Sequence, residues 1–234
     1  IVIALVGMII DRKIYNIEKQ KIIEMILIVI PISFLSARLY YILFNLDYYL
    51  KNINQILDIR NGGLAIYGGI FGAIIAIGIF CRKRNIDFLD MLDMVVPYLA
   101  LGQSIGRWGN FFNIEAYGVQ TQNIFRMGII ENGRYIEVHP TFLYESICTF
   151  ILFLILTYVK KHRQYKGQLT YIYLLIYSII RAIIEGMRID SLMLGDFRIS
   201  QIVSIIIFII AFVLLILKRN TIDNKVSYYK IWKG

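Results

Sequence analysis

Apolar positions along the 234-residue chain neither alternate nor keep to one helical stripe; they run together in long blocks separated by short polar connections. Seven such blocks are evident, at 1–10, 22–44, 62–81, 88–106, 140–159, 168–187 and 199–217. Runs near 20 residues match a hydrocarbon layer about 30 Å thick, where a helix satisfies its own backbone groups. The pattern predicts an all-α integral membrane protein, a bundle of about seven transmembrane helices forming one polytopic domain over 1–234. Ile1–Ile10 is short for a span and is expected to be the remnant of a longer helix. A signal peptide does not fit, because Arg12 and Lys13 follow the apolar run and no small-residue cleavage site appears. The longest connection, about 107–139, carries Asn132-Gly133 between Ile129-Ile130 and Tyr135-Ile136, which predicts a small hairpin.

Composition sharpens this reading. The chain is 58% hydrophobic and only 18% charged, with a mean hydropathy of +0.64. That excludes disordered chains and soluble nucleic-acid binders. Cys81 and Cys148 build neither a disulfide framework nor a zinc site. The net charge of +9 is mostly a topology signal. Lysines and arginines number four in 11–21, three in 82–87, four in 160–167 and five beyond 217. The alternate connections hold two, three and two. The positive-inside bias places the C-terminus in the cytoplasm and the N-terminus outside. No internal repeat, linker or second domain is visible.

Ionisable groups inside a bilayer cost about 2.5–3.5 kcal/mol each on insertion scales, so those that remain are informative. Arg38 lies near the outer end of the second block, and Tyr67 sits between Gly62-Gly63 and Gly68-Gly69. Arg107, Asn110, Asn113 and Glu115 follow the fourth block. His139, Tyr144 and Glu145 open the fifth. Arg181, Glu185 and Arg188 share a face of the sixth at helical spacing. All fall in the half of the bundle that loop charge assigns to the outside. Arginine suits a phosphate, since its planar fork of donors matches phosphate oxygens. The cluster therefore describes a pocket for an anionic phospholipid headgroup. Singly, each residue has a simpler reading. Arg181 and Glu185 fit a packing ion pair, Arg188 a snorkelling side chain, His139 a helix start, and the glycines helix packing. Tyr40, Tyr41 and Trp108 fit an interfacial belt.

The stretch from Gly106 to Gly118, reading Gly-Arg-Trp-Gly-Asn-Phe-Phe-Asn-Ile-Glu-Ala-Tyr-Gly, resembles the signature of the bacterial prolipoprotein diacylglyceryl transferases. Further likeness comes from Ala37 to Tyr41, Gly62 to Gly69, His139 to Glu145, and Arg181 to Arg188, in the family's order along nearly the whole chain. The resemblance implies transfer of the diacylglyceryl group of phosphatidylglycerol to the lipobox cysteine of a preprolipoprotein, at the outer leaflet of the bacterial cytoplasmic membrane. It implies Arg107 and Arg181 as phosphate ligands, Asn110, Asn113 and Arg188 on the headgroup, and Glu115 and Glu185 orienting the arginines. His139 is a candidate thiol base. Tyr67 stands where the family often has histidine, which implies positioning by its hydroxyl. No metal or cofactor and no nucleic acid is implied.

The rival reading from another class is an outer-leaflet lipid or anion transporter. It needs polar groups reaching both faces, and Asp90 and Asp93 are the residues that speak for it. Carboxylates at a helix start are their simpler account. An intramembrane protease lacks a recognisable catalytic motif.

Overall fold

The computed structural model describes residues 1–58, 62–191 and 193–219, without the side chains of Leu194 and Arg219. Arg60 and the tail lysines Lys225, Lys230 and Lys233 lie outside the described residues. Among the described residues, seven α-helices follow the apolar blocks and one short helix, α3, fills the connection after the second: α1 Val2–Tyr15, α2 Lys19–Phe44, α3 Leu46–Lys51, α4 Ile66–Arg84, α5 Phe88–Asn113, α6 Thr141–Lys160, α7 Gln168–Met187 and α8 Ile199–Arg219. Among the described residues, six of them (α2 and α4 to α8) are long and apolar enough to cross a membrane. The seventh expected span is α1, whose 14 residues rise only roughly 21 Å at 1.5 Å per residue. It also continues through Asp11-Arg12-Lys13, because none of these residues breaks a helix. The chain divides into two compact units, Val2–Met91 and Leu92 onward.

In the first unit, α4 packs along α2 with almost no side chain between the backbones. A Cβ on Gly68 would stand 2.7 Å from the Ser36 carbonyl oxygen and would overlap the Tyr40 side chain. One turn on, a Cβ on Gly72 would overlap Ser36. The four-residue glycine spacing lets the helices touch, and Ser33 Oγ donates to the Gly69 carbonyl at 2.9 Å. The close approach at these glycines is of helix to helix, as the packing reading expects. Arg38, on the α2 face beyond this contact, is buried. It donates to five backbone carbonyls, those of Gln55, Ile56, Asp58, Gly62 and Gly63, at 2.6–3.0 Å. A guanidinium has five N–H donors, so none remains for a phosphate. Arg38 instead staples the connection after α3 back onto α2.

In the second unit, Val96, Ala100, Leu152, Leu156, Leu169 and Tyr173 form the core joining α5, α6 and α7. Ser104 and Ser146 exchange hydrogen bonds across α5 and α6, each hydroxyl donating to the other residue's carbonyl at 2.8–2.9 Å. Beneath the core, Asp93 is wholly buried. Its carboxylate accepts from the Gly167 and Thr170 amides and the Thr170 hydroxyl at 2.7–2.8 Å, and pairs with Arg163 at 2.7 Å. Asp93 thus caps the start of α7 rather than its own helix. The cap of α5 is Asp87, which accepts from the Leu89 and Asp90 amides. A transport path has no free use for Asp93.

The predicted hairpin is present as β1 Met127–Glu131 and β2 Arg134–Val138, paired antiparallel around Asn132-Gly133. Both turn residues have positive φ, 50° and 75°, as a two-residue type I′ turn requires. A second short pair, β3 Met193–Leu194 and β4 Phe197–Arg198, joins α7 to α8.

Gly68→Ala is expected to lower stability by about 1–3 kcal/mol through overpacking. Gly102→Ala, with nothing within 4 Å of its Cβ position, should leave stability unchanged or raise it slightly. Thermal melts in detergent micelles compare the two.

Candidate active site

The apolar block that ends at 106 does not end the helix. α5 runs on to Asn113, since Arg107, Asn110 and Asn113 tolerate helical φ and ψ. These three residues therefore stand on the last two turns of α5 instead of in a loop. The helix stops at Ile114, which takes a left-handed φ of 51°, and Ala116 follows with 58°. Left-handed backbone is unusual for a β-branched residue, and the Glu115 amide is held to the Asn110 carbonyl at 3.0 Å. The chain then passes through Gly118. There a Cβ would lie 2.7 Å from the His139 Cβ and 3.0 Å from the Met187 carbonyl. The amides of Gly118 and Val119 donate to the carbonyls of His139 and Met187, both at 2.9 Å. The Thr141 hydroxyl donates to the Ala116 carbonyl. Residues 114–119 thus tie the start of α6 to the end of α7, which places three helix ends around one point.

At that point sits Glu145, on the second turn of α6, 2% exposed. Its Oε1 pairs with Arg107 Nη2 at 2.6 Å and its Oε2 with Arg181 Nη1 at 3.4 Å. The Tyr177 hydroxyl donates to the same Oε1 at 3.3 Å. Arg181 makes its shorter pair, 2.5 Å, with Glu185 one turn along α7. Arg107 Nη1 donates to Asn110 Oδ1 at 3.2 Å. Asn110 and Asn113 both donate to Glu115 Oε1, at 3.0 and 3.1 Å. One connected network thus holds Arg107, Asn110, Asn113, Glu115, Arg181 and Glu185.

The arrangement corrects two expectations and adds one residue. Glu115 does not touch an arginine; it holds the two asparagines, and only through Asn110 does it act on Arg107. Glu145, given no role from sequence, is the carboxylate common to both arginines. The signal for it was available, as an ionisable residue inside an apolar helix is costly unless paired. Arg188 leaves the α7 face because the helix ends at Met187 and Arg188 is extended. It instead forms a two-pronged pair with Asp190, from Nε at 2.9 Å and Nη2 at 2.7 Å. That pair holds the Asp190 carboxyl below the usual aspartate range.

His139 lies outside the network. Its Nδ1 is 3.2 Å from the Tyr144 hydroxyl, which donates to the Phe125 carbonyl at 3.0 Å. A phenol has one proton. With that proton on Phe125, Nδ1 donates to Tyr144, which in a neutral imidazole leaves the lone pair on Nε2. Tyr67, in the other unit, is half-buried on the first turn of α4.

The family model described as prolipoprotein diacylglyceryl transferase matches residues 1–217. The chain belongs to the prolipoprotein diacylglyceryl transferase family. It is 47% identical over 211 residues to the phosphatidylglycerol–prolipoprotein diacylglyceryl transferase of Finegoldia magna, covering 90% of this chain and 84% of that protein. The Clostridium novyi protein of the same name is 47% identical over 222 residues, covering 92% and 86%. The Clostridioides difficile one is 45% identical over 196 residues, covering 84% and 77%. These family members are transferases by name, and none of the names supports transport.

Glu145→Gln removes the charge that holds two arginines and is expected to destabilise the protein by about 3–5 kcal/mol, read as a lower melting temperature in micelles. Because the Asp190 carboxyl is lowered by Arg188, the stability it gives is present above the ordinary aspartate range near pH 3.9. It is lost as pH falls through the lowered value. The melting-temperature gap between the parent and Asp190→Asn should be constant near neutrality and close below about pH 4.

Proposed function

We propose that this chain transfers the sn-1,2-diacylglyceryl group of phosphatidylglycerol to the lipobox cysteine of a preprolipoprotein, leaving a thioether and releasing glycerol phosphate. The observation that carries the reading is the shared carboxylate of Glu145, which sets guanidinium groups from α5 and α7 side by side. Family membership supplies the substrates. In the reaction, the thiol gives up its proton and the sulfur attacks the glyceryl carbon that bears the phosphate. The S–C bond forms as the C–O bond breaks, and the electron pair stays on the departing oxygen. Negative charge thus moves from sulfur to phosphate, which leaves as a monoester dianion.

Two arginines beside that phosphate stabilise the product-like charge more than the starting diester, which is the condition for a rate gain. Asn110 and Asn113, held by Glu115, offer neutral amide groups to the glycerol hydroxyls. His139 Nε2 takes the thiol proton; a thiol with pKa near 8.5 is mostly protonated at neutral pH and needs such a base. Tyr67 positions a group by its hydroxyl. The bias in loop charge supports a cytoplasmic C-terminus, an external N-terminus and a site opening to the outer leaflet of the bacterial cytoplasmic membrane.

The test is transfer in liposomes of phosphatidylglycerol with a lipobox peptide, scored by mass spectrometry for a diacylglyceryl adduct on the peptide cysteine. The parent should form the adduct. Arg107→Lys, which keeps the charge and loses the fork, should be slower by about 100-fold. A folded parent that forms no adduct overturns the reading.

A further inference from the structure

The hairpin at 127–138 presents an open strand edge next to the site. Its type I′ turn makes Glu131 and Arg134 a hydrogen-bonded pair. In an antiparallel ladder such pairs alternate with non-bonded ones. With the observed register, Ile129–Ile136 and Met127–Val138 are bonded pairs. Gly128 and Ile130 on β1, and Tyr135 and Glu137 on β2, then aim their backbone groups away from the partner strand. The contacts on the β2 side agree: the Thr121 amide donates to the Glu137 carbonyl at 3.0 Å, and the His139 amide to Val119 at 3.1 Å. Residues 118–121 therefore occupy part of the β2 edge. On the β1 edge, the described hydrogen bonds include none to the Gly128 or Ile130 backbone.

Exposed edges are usually blunted by charge, proline or a bulge. Along Met127-Gly128-Ile129-Ile130-Glu131 the sole charge, Glu131, is on the turn side and accepts from the Tyr117 hydroxyl at 2.8 Å. Gly128 lacks a side chain altogether. The face of the hairpin bearing Ile129 and Val138 is buried, whereas Ile130 and Tyr135 on the other face are 74% and 69% exposed. The hairpin is thus anchored by one face, with its β1 edge left open and the Tyr135 ring lying over Gly128 on the outer face. Its lower end leads directly into the active site, because Val138 is followed by His139 and then by α6 with Glu145.

We propose that the β1 edge receives the acceptor polypeptide as an added strand, through the Gly128 and Ile130 backbone groups. This rests on the transferase reading above. In a preprolipoprotein the stretch before the acceptor cysteine is the apolar part of a signal peptide, held in the bilayer. The stretch after it lies outside and is free to extend. A cysteine near the foot of α6 sends the following residues up the edge, parallel to β1. The bonding is to backbone alone, so the edge accepts mature sequences of any composition. The apolar Ile130 flanks the outer face of the added strand.

The test uses the full protein in phosphatidylglycerol liposomes and a lipobox peptide extended by six residues beyond the cysteine. The peptide is made with a single backbone N-methyl group at each of those positions in turn. A strand on this edge uses the amides of alternate residues. Methylation at every second position should therefore raise KM for the peptide about fivefold, the loss of one hydrogen bond of about 1 kcal/mol, with kcat unchanged. The intervening positions should change little. Ile130→Pro, which deletes an edge donor and leaves the hairpin's own bonds intact, should raise the same KM by a similar factor. A scan with no effect, or with no two-residue alternation, overturns the proposal. So does an Ile130→Cys protein that crosslinks to its own copy in the absence of peptide. If the unmethylated peptide is never modified, the transferase reading itself falls and takes this one with it.

Discussion

A guanidinium within an apolar helix bundle persists only if every donor finds an acceptor or a counter-charge. This chain meets that requirement in two ways. Arg38 is neutralised by dipoles: five backbone carbonyls surround it, and it serves architecture. Arg107 and Arg181 are neutralised by charge, sharing the carboxylate of Glu145, with Glu185 as a second partner of Arg181. Carbonyl dipoles wrapped around a cation fix it in place and leave it no further chemistry. A carboxylate shared between two cations leaves both within reach of a third group. The difference in partner separates a structural arginine from the two proposed to meet the phosphate.

Glu145 in turn depends on the geometry that brings it there. The left-handed residues after α5, the glycine at 118 and the amides that bind Met187 and His139 hold three helix ends together. At the other end of the same unit, Asp93 and Arg163 lock the α6–α7 turn against α5. The core around Leu152 and Leu156 fills the space between. The helices are thus tied at both ends by charged groups and in the middle by apolar packing. An error in register along α6 or α7 would separate Glu145 from one of its arginines.

The membrane helices were legible because burial in lipid demands a length and an apolar character that sequence displays directly. The hairpin was legible because Asn132-Gly133 favours the backbone that its turn requires. The end of α5 was not: hydropathy marks where the apolar run stops, and Arg107 to Asn113 continue the helix as polar residues. Arg188 was misplaced for the related reason that helical spacing persists in a sequence beyond the point where the backbone leaves the helix. The clustering of Arg107, Arg181 and Glu185 followed from the cost of charge in lipid. Which carboxylate holds which arginine did not follow, since spacing relates residues of one helix and Glu145 reaches its partners across three.

The pairing of Arg107 and Arg181 with buried carboxylates also bears on how the enzyme resets. With two cations facing Glu145 and Glu185, the resting cluster carries little net field. A small anion from solution gains little by entering and must displace carboxylates already in contact. A lipid arrives with its acyl chains held by the bilayer, so its headgroup competes at a high local concentration. Once the acyl part has left on the peptide, the glycerol phosphate keeps its charge and loses that tether. In the proposed reaction Glu145 then reclaims both arginines, so that the carboxylate that organises the resting site is also the group that clears it after turnover.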